Sequence, residues 1–258
     1  VFEDGVIDIL TWPLSASHNG ITAENVARKY GVSRQEQDEF AYNSHKKAVA
    51  AIEAGKFKDE IAPVEVKGRK GKVTVVDTDE GPRADETMEI LAKMRPCFMN
   101  DSEASVTAGN SSSLNDAAAA VVVMSLDAAK RLGVKPVLKI EGFKIAGNEA
   151  ELMGYAPKYS SEQLARDLHI DLKKIDMFEI NEAFASQSVA VTRDLGLDMD
   201  KVNIYGGGIS IGHPLGATGA ILTTKVFYDL MRSEKKDAMI SMCIGGGQGI
   251  SMYFTKCE

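Results

Sequence analysis

The chain has 258 residues, 44% of them hydrophobic and 26% charged, with a formal net charge of −7. That is globular composition, enough for one large domain or two smaller ones, and the negative balance supplies no global basic field for nucleic acid. Three cysteines, Cys97, Cys243 and Cys257, make neither a disulfide framework nor a CxxC metal pair, so no metal site is expected and a reducing, cytoplasmic compartment is the default. The longest apolar run, 117–124, is far too short to cross a bilayer. The first residue is Val1, with no signal or transit segment after it. This is expected of a chain taken from something longer, and it leaves a mitochondrial location open.

Residues 1–105 read as one mostly helical region. Ser33 and Glu36 have the spacing of a capping box, in which each side chain satisfies the other's backbone donor. A helix follows to about residue 54, with Phe40, Ala41, Ser44, Ala48, Ala51 and Ile52 on one face and Gly55 as its stop. Residues 56–87 combine charge and glycine with valine at 64, 66, 73, 75 and 76, which predicts small strands and turns around the basic stretch KGRK at 67–70. From Ser105 small residues dominate, and the apolar run 121–124 suits a buried strand. Ser125 caps a helix ending near Gly133. Strand signals at 137–145, 177–180, 202–205, 238–243 and 250–254 then alternate with helix signals. The helices begin at Ser160 (in a second box with Gln163), at Ala183 and at Pro214. This order predicts a layered α/β domain.

Three motifs fall just after predicted strands, the edge where open α/β sheets bind ligands. In NEAFA at 181–185, Asn181 is delivered by a strand and can hold a water or a carbonyl; a plain helix cap is the competing reading. In GGGISIGHPLGATG at 206–219, Pro214 suits a first helical turn. His213 is then expected at a helix N-terminus, where the dipole lowers its pKa and leaves a neutral base. A phosphate loop or a simple turn competes, although neither Walker nor Rossmann spacing is met. In CIGGGQG at 243–249, Cys243 ends a strand and the glycines expose N–H groups suited to an oxyanion; a tight hairpin with an inert buried thiol competes. Asn, His and Cys together suggest carbon acid–base chemistry on a thioester. The small residues of 106–112 suit a narrow pantetheine chain.

In this order and at these distances, the three motifs resemble the C-terminal signatures of thiolases. VTAGNSS at 106–112 followed by LNDAAAA at 114–120, HNGITAENVA at 18–27 and RADETMEILAKMRPCF at 83–98 resemble the family as well, so the likeness runs along the whole chain. It implies a layered αβα C-terminal domain over 134–258, the last elements of the N-terminal half over 106–133 and a mostly helical loop domain over 1–105. It also implies transfer of acyl groups between coenzyme A thioesters through a nucleophilic cysteine of the N-terminal half. His213 matches the base that activates that cysteine, and Cys243 the acid/base for the α-proton. Asn181, through a water, and His213 match one oxyanion site; the N–H of Gly245 belongs to the other. Ala108, Ser112, Met153 and Phe184 match the pantetheine and acyl pocket, Arg83 the nucleotide end of coenzyme A, and His18 the loop histidine of the acetoacetyl-CoA type.

No residue here matches the nucleophile itself, so the chain alone is expected to be inactive and an N-terminal thiolase segment, in cis or trans, is an expected partner. Ile90 stands where many relatives have a serine touching coenzyme A, and Asn19 where a methionine is common. The function implied is reversible condensation of two acetyl-CoA to acetoacetyl-CoA and CoA. The alternatives are a longer-chain 3-ketoacyl-CoA thiolase, a non-catalytic CoA-binding or scaffolding fragment and, more remotely, a decarboxylating ketosynthase relative. Coenzyme A is expected as substrate, with no tightly bound cofactor. A homodimer or homotetramer is implied by the family. An exposed apolar face is expected where the missing half would sit, since a large bare apolar patch marks an interface.

Overall fold

The computed structural model describes residues 4–13 and 15–257. Helix α1 (Gly5–Ile9) is capped by Asp4 and leads into a ribbon of β1 (Thr11–Trp12) and β2 (Ser17–His18). Helix α2 (Asn19–Tyr30) stops at Gly31 in the left-handed region. Helix α3 (Arg34–Glu53) opens with the expected capping box: Ser33 Oγ accepts from Glu36 N–H, and the Glu36 carboxylate accepts from Ser33 N–H at 2.7 Å. Ala41, Ser44, Ala48 and Ala51 form its buried stripe. Strands β3 (Val64–Lys67) and β4 (Val73–Val76) pair as a hairpin whose eight residues are all exposed. Helix α4 (Met88–Lys93) follows, and α5 (Leu126–Leu132) runs from the Ser125 cap to Gly133, as expected.

The remaining elements alternate: β5 (Leu138–Gly147), α6 (Ala156–Asp167), β6 (Phe178–Ile180), α7 (Ala185–Asp194), α8 (Gly208–Ile211), α9 (Thr218–Arg232), β7 (Asp237–Cys243) and β8 (Gln248–Lys256). They form one sheet in the order β5-β8-β7-β6, with β6 and β7 parallel and β8 antiparallel to both its neighbours. Successive side chains go to opposite faces. Phe178, Met239 and Tyr253 join Val26, Leu164 and Val191 in the core under α2, α6 and α7. Met177, Ile240 and Phe254 join Leu222, Val226 and Leu230 under α9. The result is the expected layered αβα arrangement. No helix among the described residues is long and apolar enough to cross a membrane.

Of two buried carboxylates, one holds α2 to residues 105–106 and the other ties α3 to the sheet domain. Glu24 of α2 accepts from Ser105 N–H, Ser105 Oγ–H and Val106 N–H at 2.9–3.0 Å. Glu182 accepts from Ser44 of α3 at 2.6 Å. Both side chains are almost fully buried, where unpaired charge is expensive, so these bonds are what make the burial tolerable.

Four expectations are corrected. Residues 121–124 form no strand and are not buried: Val122 is 86% and Val123 70% exposed. A buried strand needs a neighbour, and no described strand lies beside this run. Ser160 does not start a helix; Pro157 stands in the first turn of α6, and Ser160 is buried inside it, bonded to Ser251 Oγ at 2.7 Å. Residues 202–205 contribute isolated bridges, Phe178 with Val202 and Ile204 with Gly206, rather than a strand. Helix α9 begins at Thr218, not Pro214, because Pro214 opens a turn whose carbonyl takes the Ala217 and Thr218 N–H groups.

Candidate active site

Asn181 emerges from β6, and its N–H donates to Ser241 O of β7 at 2.9 Å. The Asn203 side chain completes this edge as a further strand would. Its Oδ1 accepts from Ile180 N–H, and its Nδ2 donates to Ile180 O and to Glu182, each at 2.8 Å. The other Glu182 oxygen takes Ser44 Oγ–H and, at 3.2 Å, Ile209 N–H. A Cβ on Gly207 would fall inside this carboxylate. Glu182 thus fastens the glycine run, and with it the approach to His213.

The His213 N–H donates to Ser113 O at 3.3 Å. In the ring, Nε2 lies 3.3 Å from Asn181 Nδ2 and Nδ1 lies 2.7 Å from Thr218 Oγ1. Burial lowers its pKa to about 4, leaving a neutral imidazole at pH 7. The expected lowering is present, but its cause is burial rather than a helix dipole, since the helix starts five residues later. Asn181 Oδ1 is buried and has no hydrogen-bond partner among the described residues. A buried orphan acceptor of this kind is the sort of group a bound water satisfies.

Cys243 ends β7, beside β6, and packs with Met153, Ala183 and Phe184. Burial pushes its thiol up to about 11. The resting group is therefore a thiol, its burial outweighing the backbone hydrogen bond that favours the thiolate. Its Sγ faces Gln187 Oε1 at 3.9 Å, and Gln187 Nε2 donates to Asn181 O at 3.3 Å. Gln187 so bridges the cysteine and the asparagine. Beyond Cys243, Gly245, Gly246 and Gly247 all have positive φ, which glycine alone adopts without strain. Gly245 N–H donates to no acceptor among the described residues.

The smaller residues close around this edge. Ser112 donates both N–H and Oγ–H to Ala183 O at 3.0 Å. Ala108 opens a 3₁₀ turn, Ala108–Asn110, closed by Thr107 and Asn110. His18 stacks on Phe98 with centroids 5.2 Å apart, and Phe98 meets Phe184 edge-on at 5.9 Å. Arg83 stands apart: it is exposed, its N–H donates to His45 Nδ1 and its guanidinium lies 3.6 Å from Glu86. Of the residues singled out by sequence, Asn181, His213, Cys243, Ser112, Met153 and Phe184 come together, with His18 joined through Phe98. Sequence reasoning missed Gln187, Glu182, Asn203 and Thr218. The available signal was a run of polar residues, 186–188, where a helix packed on a sheet should be apolar.

A family model described as the thiolase N-terminal domain matches residues 2–127, and one described as the thiolase C-terminal domain matches residues 134–256. The beta-ketothiolase BktB of Cupriavidus necator is 48% identical, the match covering 98% of this chain and 65% of that one. Among solved structures, an acetyl-CoA acetyltransferase of Bacillus anthracis superposes with a TM-score of 0.95 at 41% identity, over 99% of this chain and 64% of that one. A human mitochondrial 3-ketoacyl-CoA thiolase in complex with CoA gives a TM-score of 0.90 at 37% identity, over 99% and 63%. The chain therefore spans a little under two thirds of the length of these relatives. With both family models matched in order, relatives near half identical and a common fold around the 181, 213 and 243 motifs, the chain belongs to the thiolase family.

Proposed function

We propose that these 258 residues supply the acid–base and oxyanion half of an acetyl-CoA C-acetyltransferase, whose nucleophilic cysteine lies in an N-terminal segment outside them. The observation that carries this reading is the convergence of the neutral His213 ring with the Asn181 amide and the Cys243 thiol at two adjacent strand ends, linked at 3.3 Å between Asn181 and His213 and through Gln187 to Cys243.

In the cleavage direction, His213 Nε2 takes the proton of the nucleophilic thiol, and the thiolate attacks the keto carbon of acetoacetyl-CoA. The carbon–carbon bond breaks, leaving an acetyl group on that cysteine and an acetyl-CoA enolate. Asn181, through a water, and His213 stabilise the enolate oxygen; one such donor is worth ~3 kcal/mol. Cys243, resting as a thiol, returns the α-proton. Incoming CoA gives its thiol proton to the Cys243 thiolate, its sulfur takes the acetyl group, and the released nucleophilic thiolate recovers its proton from His213. Condensation is the reverse. Domain limits of 1–105, 106–133 and 134–258, coenzyme A as substrate without a tightly bound cofactor, and a homodimeric or homotetrameric state belong to the same reading. Arg83 would reach the nucleotide end of CoA from the rim.

The test combines the chain with the portion of the Cupriavidus necator relative that it does not match, and follows CoA-dependent loss of acetoacetyl-CoA. Turnover is expected, falling at least ~100-fold with His213→Ala or Cys243→Ala. Repeating the assay with a longer 3-ketoacyl-CoA reads chain-length preference. If saturating amounts neither bind nor turn over, the reading fails. CoA binding by calorimetry without turnover would instead favour a scaffolding fragment.

A further inference from the structure

The two ring nitrogens of His213 have unlike neighbours: the Asn181 amide beside Nε2, and Thr218 Oγ1 at 2.7 Å from Nδ1. A neutral imidazole carries one proton, and the nitrogen that holds it decides where the lone pair points. Thr218 is buried at the start of α9, and its hydroxyl proton has an acceptor in Pro214 O, 3.0 Å away, a carbonyl it shares with the Ala217 and Thr218 N–H groups. With the proton there, Oγ1 turns a lone pair towards Nδ1, and the closest polar contact of the ring becomes an Nδ1–H donated to threonine. Asn181 Nδ2 then donates to the bare Nε2. The opposite pattern needs two changes at once. Thr218 must give up Pro214 to donate to Nδ1, and the Asn181 amide must turn over so that its oxygen meets Nε2–H.

We propose that Thr218 is a positioning residue that fixes the proton of neutral His213 on Nδ1, so that Nε2 is the nitrogen left bare to accept the proton of the reacting thiol. The inference rests on His213 being the base. On the Nδ1 side nothing has to change when Nε2 takes up a proton, because Nδ1–H keeps its acceptor throughout; only the Asn181 amide gives up its bond to Nε2. A hydroxyl suits this role in a way a carboxylate would not. It orients the ring without adding the negative charge that would hold it as a cation, so the proton can be handed on.

Long-range proton–nitrogen NMR of the 258-residue chain with labelled histidine reads the tautomer of each ring; the chain has four histidines, and His213→Gln assigns the one in question. At pH 7 the wild-type ring is expected as Nδ1–H, Thr218→Ser is expected to keep it, and Thr218→Val to lose the preference. A wild-type proton on Nε2, or an unchanged Nδ1–H in Thr218→Val, overturns the proposal. Should Thr218→Val fail to fold, the wild-type and Thr218→Ser spectra still decide. None of these readouts needs turnover, so their failure is separable from failure of the acyltransferase reading, which the recombination assay tests.

Discussion

His213 and Cys243 are both buried, and burial moves them to their neutral forms from opposite directions. An unfolded imidazole takes its proton near pH 6.5, whereas folded His213 does so only near 4. Between those values the unfolded chain holds more protons, so stability is lost as pH falls through this window, by up to about 3 kcal/mol from this residue. His45, lowered to about 4 by burial and by Arg83, acts in the same sense. Urea midpoints between pH 7 and pH 4.5 should therefore fall, and His213→Gln should flatten the slope while leaving the share of His45. For Cys243 the consequence is kinetic. With its thiol near 11, it carries at least ~100-fold less thiolate at pH 8 than a free cysteine. Peptide mass spectrometry after brief alkylation should find exposed Cys97 modified well before Cys243.

Among the elements, the apolar packing of α2 on the sheet is supplemented by buried polar ties, Glu24 on Ser105 and Val106 and Ser44 on Glu182. Glu24→Ala would leave the Ser105 and Val106 N–H groups without an acceptor, a loss of roughly 3 kcal/mol at 1–3 kcal/mol for each buried orphan. Ser33→Ala removes an exposed cap and should cost only about 1 kcal/mol. Urea unfolding of the two variants checks the ranking. These two positions also mark what a sequence can reveal. The Ser33 box was legible because its partners are three residues apart and answer to helix geometry alone. The same pattern misled at Ser160, where Pro157 had already begun the helix and the serine instead bonds to Ser251, 91 residues away. Asn181, His213 and Cys243 were legible because each sits in a contiguous motif, although only Asn181 and Cys243 follow strands. Gln187, Glu182 and Thr218 were not, since their partners across the fold define them. The strand expected at 121–124 failed for the same physical reason: pairing is supplied by another segment, not by composition.

At the level of the whole molecule, one side of the sheet is half clothed. Helix α9 covers β6 and β7, while Phe143, Ile145 and Ile140 on the edge strand β5 stay exposed, as do residues 121–124. On the proposed reading, these apolar side chains are where the N-terminal segment would pack. Val122→Asp should leave the stability of this chain within about 0.5 kcal/mol, as surface substitutions do. It should nevertheless weaken association with the complementary portion, and the pair of urea and binding measurements separates the two effects. The β3–β4 hairpin has a different consequence. It projects with every residue exposed, and its tip carries Arg69, Lys70 and Lys72, so trypsin should cut there first. The pieces on either side of that cut remain joined by Glu24 on Ser105 and by Ser44 on Glu182. A nicked chain should thus run as two bands in denaturing gel electrophoresis yet elute as a single particle from a native sizing column: the backbone there is a tether, and the fold does not depend on its being whole.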